Sequence, residues 1–148
     1  MISVKKAMLA VAGVAMLASA AVNAETVEVK GQGVKFAPEI IHAKVGDVIS
    51  FRNMATHFVE SVEGMWPEGA PKMLSAMGAD YDYPVEKEGL YVFKCPPHWG
   101  ARMGAVMVVG QPADLSATVE KYLQVADTVK EAKPAKGLLT KFQESEKK

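Results

Sequence analysis

"GLYVFKCPPHWGARMGAVMVVG", residues 89–110, holds the single cysteine of the 148-residue chain. It opens at a glycine and alternates through Cys95, the period of a half-buried strand. It closes on a short apolar run bounded by glycines, which suits a strand buried on both faces. Between the two runs lie Pro96, Pro97, His98 and Met103. A loop anchored by a strand at either end can hold several side chains in one arrangement.

Upstream, short β patterns recur. "TVEVK" alternates from Thr26, and "EIIHAKVGDVISFRN" gives two β-rich runs split at Val45-Gly46-Asp47, a turn signal. "HFVESV" from His57 is a short strand candidate, and Tyr81 to Val85 is another. Short strands with frequent glycine and proline breaks, and no helical unit between them, predict an antiparallel sandwich or barrel. Residues 65–78, "MWPEGAPKMLSAMG", break the rhythm and read as a loop with a turn of helix near Lys72 to Met77. After Gly110 the period changes. Leu115, Val119, Tyr122, Leu123, Ala126 and Val129 recur at helical spacing behind Asp114, a suitable N-cap. A second helix is predicted after Pro134, with Leu138, Leu139 and Phe142 on one side. The fold class is all-β with a small helical tail: a β-sandwich carrying two C-terminal α-helices from about residue 113.

The start of the chain sets the compartment. Lys5 and Lys6 precede an apolar run from Ala7 to Ala21, and Val22-Asn23-Ala24 resembles a signal-peptidase site. Residues 1–24 therefore read as a secretory signal peptide, and residues 25–148 as one domain. The apolar run is shorter than the ~20 residues of a bilayer span, so no stable membrane insertion is expected after cleavage. Removing 24 of 148 residues leaves 124, enough for one core. Lys5 and Lys6 are the only charges lost, so 15 of the 17 Lys+Arg remain against 17 Asp+Glu. That near-neutral balance gives no case for nucleic acid.

Exported chains normally pair their cysteines, and Cys95 has no partner within the chain. It is a buried thiol, an intermolecular disulfide, a nucleophile or a metal ligand. Its neighbours decide. Thiolate, imidazole and thioether within nine residues make a soft donor set, and trigonal His₂Cys with a weak axial Met is an electron-transfer copper arrangement. The second histidine must come from elsewhere. His42 lies mid-strand in "EIIHAK", the position of an ordinary surface histidine. His57 stands where a loop meets a strand, and is preferred. Zinc is disfavoured because structural sites take more thiolates. Covalent haem requires a Cys-x-x-Cys-His run that is absent. A Cys–His nucleophile would have no need of Met103.

Together "FAPEIIHAKVGD", "HFVES", "MWPEGAPK", "GLYVFKCPPH", Met103 and "MVVG" resemble the cupredoxins, most of all the pseudoazurins. The resemblance runs from Val34 to Gly110, and the helical tail suits it. It implies an eight-stranded Greek-key β-sandwich, with one copper bound by His57, Cys95, His98 and Met103. The implied role is that of a soluble periplasmic electron shuttle, a monomer meeting transient protein redox partners near His98, nitrite reductase or a cytochrome among them. The chain departs from the family in its ligand loops. Phe58 and Pro96 stand where an Asn and a Thr usually tie the loops together. The lysine that usually precedes the first histidine is missing from "NMATH", and "VKGQGVKF" is shorter than usual.

Pro96 and Pro97 lack N–H groups, so the N–H of Phe58 is the donor to expect at the Cys95 sulfur. An apolar patch is expected around His98 from Pro97, Trp99, Met65, Trp66 and Pro67, with Lys72, Lys94 and Arg102 as a basic rim. The rival reading is a periplasmic copper carrier or storage protein with the same fold. A copper enzyme is disfavoured, because only His42 is left to build a second metal cluster.

Overall fold

The computed structural model describes residues 23–148. The leader read over residues 1–24 lies, but for Asn23 and Ala24, outside the described residues. Among these, eight strands are seen: β1 (Thr26–Gln32), β2 (Lys35–Ala37), β3 (Ile40–Ala43), β4 (Val48–Arg52), β5 (Glu60–Ser61), β6 (Tyr81–Pro84), β7 (Gly89–Lys94) and β8 (Gly104–Val109). Two helices follow, α1 (Leu115–Thr128) and α2 (Ala135–Glu146). No helix among the described residues is long and apolar enough to cross a membrane.

The strands form two four-stranded sheets, ordered β2-β1-β4-β6 and β3-β8-β7-β5. They are mixed, where the strand pattern predicted an antiparallel sandwich. β1 runs parallel to β4, from Thr26 opposite Val48 to Lys30 opposite Arg52. β3 runs parallel to β8, with Ile40 opposite Val106. The reason is topological: alternation reports which face of a strand is buried, whereas the partner depends on how distant segments cross over.

Between the sheets lies a core of Val29, Phe36, Ile41, Ile49, Phe51, Phe93 and Met107. Phe93 meets Phe51 edge-on with ring centroids 5.2 Å apart and Phe36 with centroids 5.6 Å apart, the offset geometry that aromatic quadrupoles favour. A second core forms on the outer face of β7 and β8, where Leu90, Val92, Val106 and Val108 meet Val119, Tyr122, Leu138, Leu139 and Phe142 of the helices. Every residue of β8 is buried. Its unbroken apolar run follows from that double cover, as read from the sequence. Tyr122 Oη donates to Leu90 O at 2.8 Å, so the polar tip of this buried ring is satisfied as it ties α1 to β7.

Local expectations are corrected in three places. "HFVESV" supplies only the two-residue β5, because the 73–75 segment occupies its other side: Ser61 N–H bonds to Met73 O at 3.1 Å and Ser75 N–H to Val59 O at 3.0 Å. Lys72 to Met77 is not helical; Leu74 instead makes a bridge with Glu60. Asp114 does precede α1, but its side chain makes no cap bond.

Candidate metal centre

Cys95 follows β7 directly, and Pro96 and Pro97 occupy the first positions of a short 3₁₀ turn, Pro96–Ala101. Proline is tolerated there because a first-turn N–H has no helical partner to lose. Arg102 ends the turn in the left-handed region, φ 61°, and its N–H bonds to Trp99 O at 2.8 Å. The loop then closes on itself. His98 N–H bonds to Cys95 O at 3.0 Å, Cys95 N–H to Met103 O at 2.8 Å, and Met103 N–H to His98 O at 3.2 Å. The three loop residues of interest are thus joined pairwise through the backbone.

His57 arrives from the opposite sheet's side of the site, on the connection between β4 and β5. It sits in a turn and not at a strand start: its N–H bonds to Met54 O and its carbonyl accepts from Gly78 N–H, each at 2.9 Å. Its side chain converges on the loop. The Nδ1 atoms of His57 and His98 are 3.1 Å apart, and Cys95 Sγ lies 3.6 Å from the first and 3.5 Å from the second. Met103 is fully buried beside them in the inter-sheet core. His42 is elsewhere, exposed on β3, with Nε2 2.9 Å from Glu146 Oε1 of α2.

Two imidazole nitrogens and a sulfur, brought together from two separate segments, are all metal-ligating atoms. The arrangement suits a metal ion. Bonds of about 2.0 Å to nitrogen and about 2.3 Å to sulfur would give edges of roughly 3.1–3.7 Å for angles of about 100–120°, and the observed edges fall in that range. Two imidazoles, one thiolate and a thioether select copper over a hard cation or a structural zinc. Burial and the neighbouring His98 hold the His57 imidazole below its ordinary pKa, which keeps it neutral and ready to bind metal. Burial pushes the Cys95 thiol up, opposed by the backbone N–H groups of Phe58 and His98. Phe58 is the donor the sequence pointed to. The His98 contribution was missed, since the sharpness of the turn after Cys95 is not written in the residue types.

The expected apolar patch is not assembled as named. Met65 is fully buried and Met73 nearly so. Trp99 is 8% exposed and belongs to the core beneath the helices. Trp66 stacks edge-on against Tyr91, and Pro67 lies over Gly89, four to six residues back along β7 from Cys95. At about 3.3 Å per strand residue that is more than 10 Å away. Of the five, Pro97 alone is both exposed and beside His98. Leu74 and Met77, which the sequence did not single out, are 66% and 57% exposed, and Met77 adjoins the Gly78 that bonds to His57. The basic rim also differs. Lys94 leans on Glu60 at 3.9 Å, whereas Arg102 shares a groove with Lys35, Lys130 and Lys133.

Comparison with known proteins meets this geometry from another direction. The model of copper binding proteins of the plastocyanin/azurin family matches residues 23–110. The chain is 39% identical over 118 residues to a pseudoazurin of Paracoccus pantotrophus, covering 74% of this chain and 81% of that one. It is 39% identical over 80 residues to the pseudoazurin of Methylorubrum extorquens, a match spanning about half of each, 53% and 54%. The crystal structure of pseudoazurin from Methylobacterium extorquens AM1 superposes with a TM-score of 0.65 at 32% identity, covering 79% of this chain and 98% of that one. With the matching sandwich, helical tail and His–Cys–His cluster in place, the chain belongs to the plastocyanin/azurin family of copper binding proteins.

Proposed function

We propose that the protein is a periplasmic blue copper carrier of single electrons, resembling pseudoazurins, with His57, Cys95, His98 and Met103 as the copper ligands. The observation that carries this is the convergence of His57 Nδ1, Cys95 Sγ and His98 Nδ1 within 4.8 Å of one another. Copper held there supplies a one-electron Cu(I)/Cu(II) couple. The chain's own part is to keep the donors still. Three of them, Cys95, His98 and Met103, lie in a loop closed by its own backbone bonds, and the fourth, His57, lies in a turn bonded at both its N–H and its carbonyl. A site that moves little between redox states presents a low barrier to electron transfer. Cys95 would hold the copper as the thiolate, and Met103 would supply the thioether as a weaker donor. His98, half-buried where Cys95 and His57 are buried, is the edge through which the electron leaves. A carrier in this family is not an enzyme.

Residues 1–24 act as the export signal in this reading, and residues 25–148 as the mature domain. The partner is a protein redox centre docking transiently at His98; a nitrite reductase or a cytochrome is the class to try first. The groove cations beside the loop, Lys35, Arg102, Lys130 and Lys133, favour an acidic partner surface. Charge reversal at Lys130 and Lys133 should then slow association, most at low salt.

The deciding experiment is the visible and electron spin resonance spectrum of the copper(II) protein. An intense thiolate-to-copper band with a narrow copper hyperfine splitting supports the carrier. A weak, ordinary copper(II) spectrum with easy loss to a chelator would favour the copper-carrier or storage reading instead.

A further inference from the structure

Trp99 follows His98 and points away from it, into the helical tail. Its indole N–H donates to Glu131 O at 2.7 Å, across the short turn between α1 and α2. Its ring fills the space above Gly104, where a β-carbon would stand 2.7 Å from Cζ3 and 3.0 Å from Leu138 Cδ1 of α2. Among the described residues, Trp99 is the only residue of the 96–102 turn, apart from His98 within the donor cluster, whose side chain makes a hydrogen bond. The backbone carries the consequence onward, because Trp99 O accepts from Arg102 N–H, the bond that turns the chain back toward Met103. Arg102 in turn lies across Gly137 of α2.

We propose that Trp99 is a positioning residue of the copper centre, through which the α1–α2 connection holds the His98–Met103 turn in place. The inference rests on the copper reading above. It gives the helical tail a role beyond covering the outer face of β7 and β8: the tail is the outer wall of the ligand loop. A ring wedged between β8 and α2, with its one polar atom satisfied, can move only if the tail moves.

The test uses the full mature protein and two variants. Trp99→Phe keeps the ring and removes the N–H; Trp99→Leu removes the plane as well. In Trp99→Phe we expect copper(I) to be lost to a chelator about fivefold faster, the equivalent of one hydrogen bond, with a measurable change in the copper(II) hyperfine splitting. Trp99→Leu should exaggerate both. In the metal-free protein, amide exchange at Arg102 and Met103 should quicken by a similar factor in Trp99→Phe. If both variants merely unfold at lower temperature, with loss rate, hyperfine splitting and exchange unchanged, Trp99 serves the tail core alone and the inference falls. The exchange measurement needs no copper. A parent protein lacking the thiolate band would defeat the carrier reading while the exchange result still decided the role of Trp99.

Discussion

Gly31 lies directly against His57. A β-carbon on Gly31 would stand 2.8 Å from His57 Cδ2 and 2.7 Å from the carbonyl oxygen of Asn53. The strand that begins the domain therefore forms a wall of the metal centre, and it can do so only where it has no side chain. Gly31 is at no left-handed φ, so the requirement is for space and not for backbone conformation. Asn53 Nδ2 also donates to Gly31 O at 2.5 Å, binding the same two segments.

Gly31→Ala should consequently displace the His57 ring or push β1 away from the 53–57 turn. Overpacking of this kind costs about 1–3 kcal/mol. The expected result is a lowered unfolding midpoint together with an altered copper(II) spectrum. A variant with the parent spectrum and parent copper retention would mean that the turn yields freely, and that Gly31 is not part of the site's wall.

Cys95→Ser should abolish the thiolate charge-transfer band while the sandwich still folds. Cys95 is the one sulfur that can ionise, and it is fully buried. A hydroxyl there is close in size, at a cost of about 1–3 kcal/mol for its desolvation. Circular dichroism should keep the β signature. An intense blue band surviving in Cys95→Ser would end the blue copper reading.

His57 and His42 should behave oppositely. His57→Ala removes a buried donor from the cluster and should eliminate the normal spectrum. His42→Ala removes an exposed ring whose partner is Glu146 on α2, and should leave the spectrum as it was, with a stability change within about 0.5 kcal/mol, as for other surface substitutions. The reverse outcome would overturn the assignment of His57 as the second nitrogen ligand.

These contrasts track what the sequence could disclose. The Cys-x-x-His-x₄-Met spacing is local, so the loop was legible from its own residues, as were β7 and β8 on either side. The doubly covered β8 was legible too, since a short unbroken apolar run bounded by glycines, such as "GAVMVV", suits a strand buried on both faces. His57 was found by residue type, but its setting was not, because the turn around it is closed by Gly78 from a distant segment. Trp99 was read as an exposed aromatic because nothing adjacent in sequence covers it; Glu131 and Leu138 do, more than thirty residues later. The parallel pairings of β1 with β4 and of β3 with β8 were illegible for the same reason. Contacts made across the fold leave no periodic trace in either partner.

The last expectation concerns pH and Asp47, which sits far from the donors but fastens the start of the domain. Its carboxylate is 2% exposed. Oδ1 accepts from the backbone nitrogen of Glu25, the first residue of the proposed mature domain, at 2.9 Å and Oδ2 from Lys44 N–H at 2.8 Å, with Lys44 Nζ 3.7 Å away. Burial by itself would raise its pKa. The two backbone donors and the Lys44 charge outweigh that, and the group is held below its ordinary 3.8. A carboxyl with a depressed folded-state pKa stabilises the fold fully above its unfolded value, and that stabilisation fades as pH falls through the lower folded value. Asp47→Asn turns one accepting oxygen into an amide facing an N–H, and should cost about 1–3 kcal/mol at pH 7. The gap between parent and variant should be complete at neutrality and should shrink as the pH falls below the ordinary carboxylate value and through the lower folded one. Other acid groups, such as Asp82 beside Arg52 at 2.9 Å, titrate in both proteins and cancel in the difference. Urea unfolding midpoints of the two proteins, measured at several pH values across that range, give the gap directly. A gap that stays constant into acid, or that is absent at pH 7, would show that Asp47 does not hold the first strand through its charge.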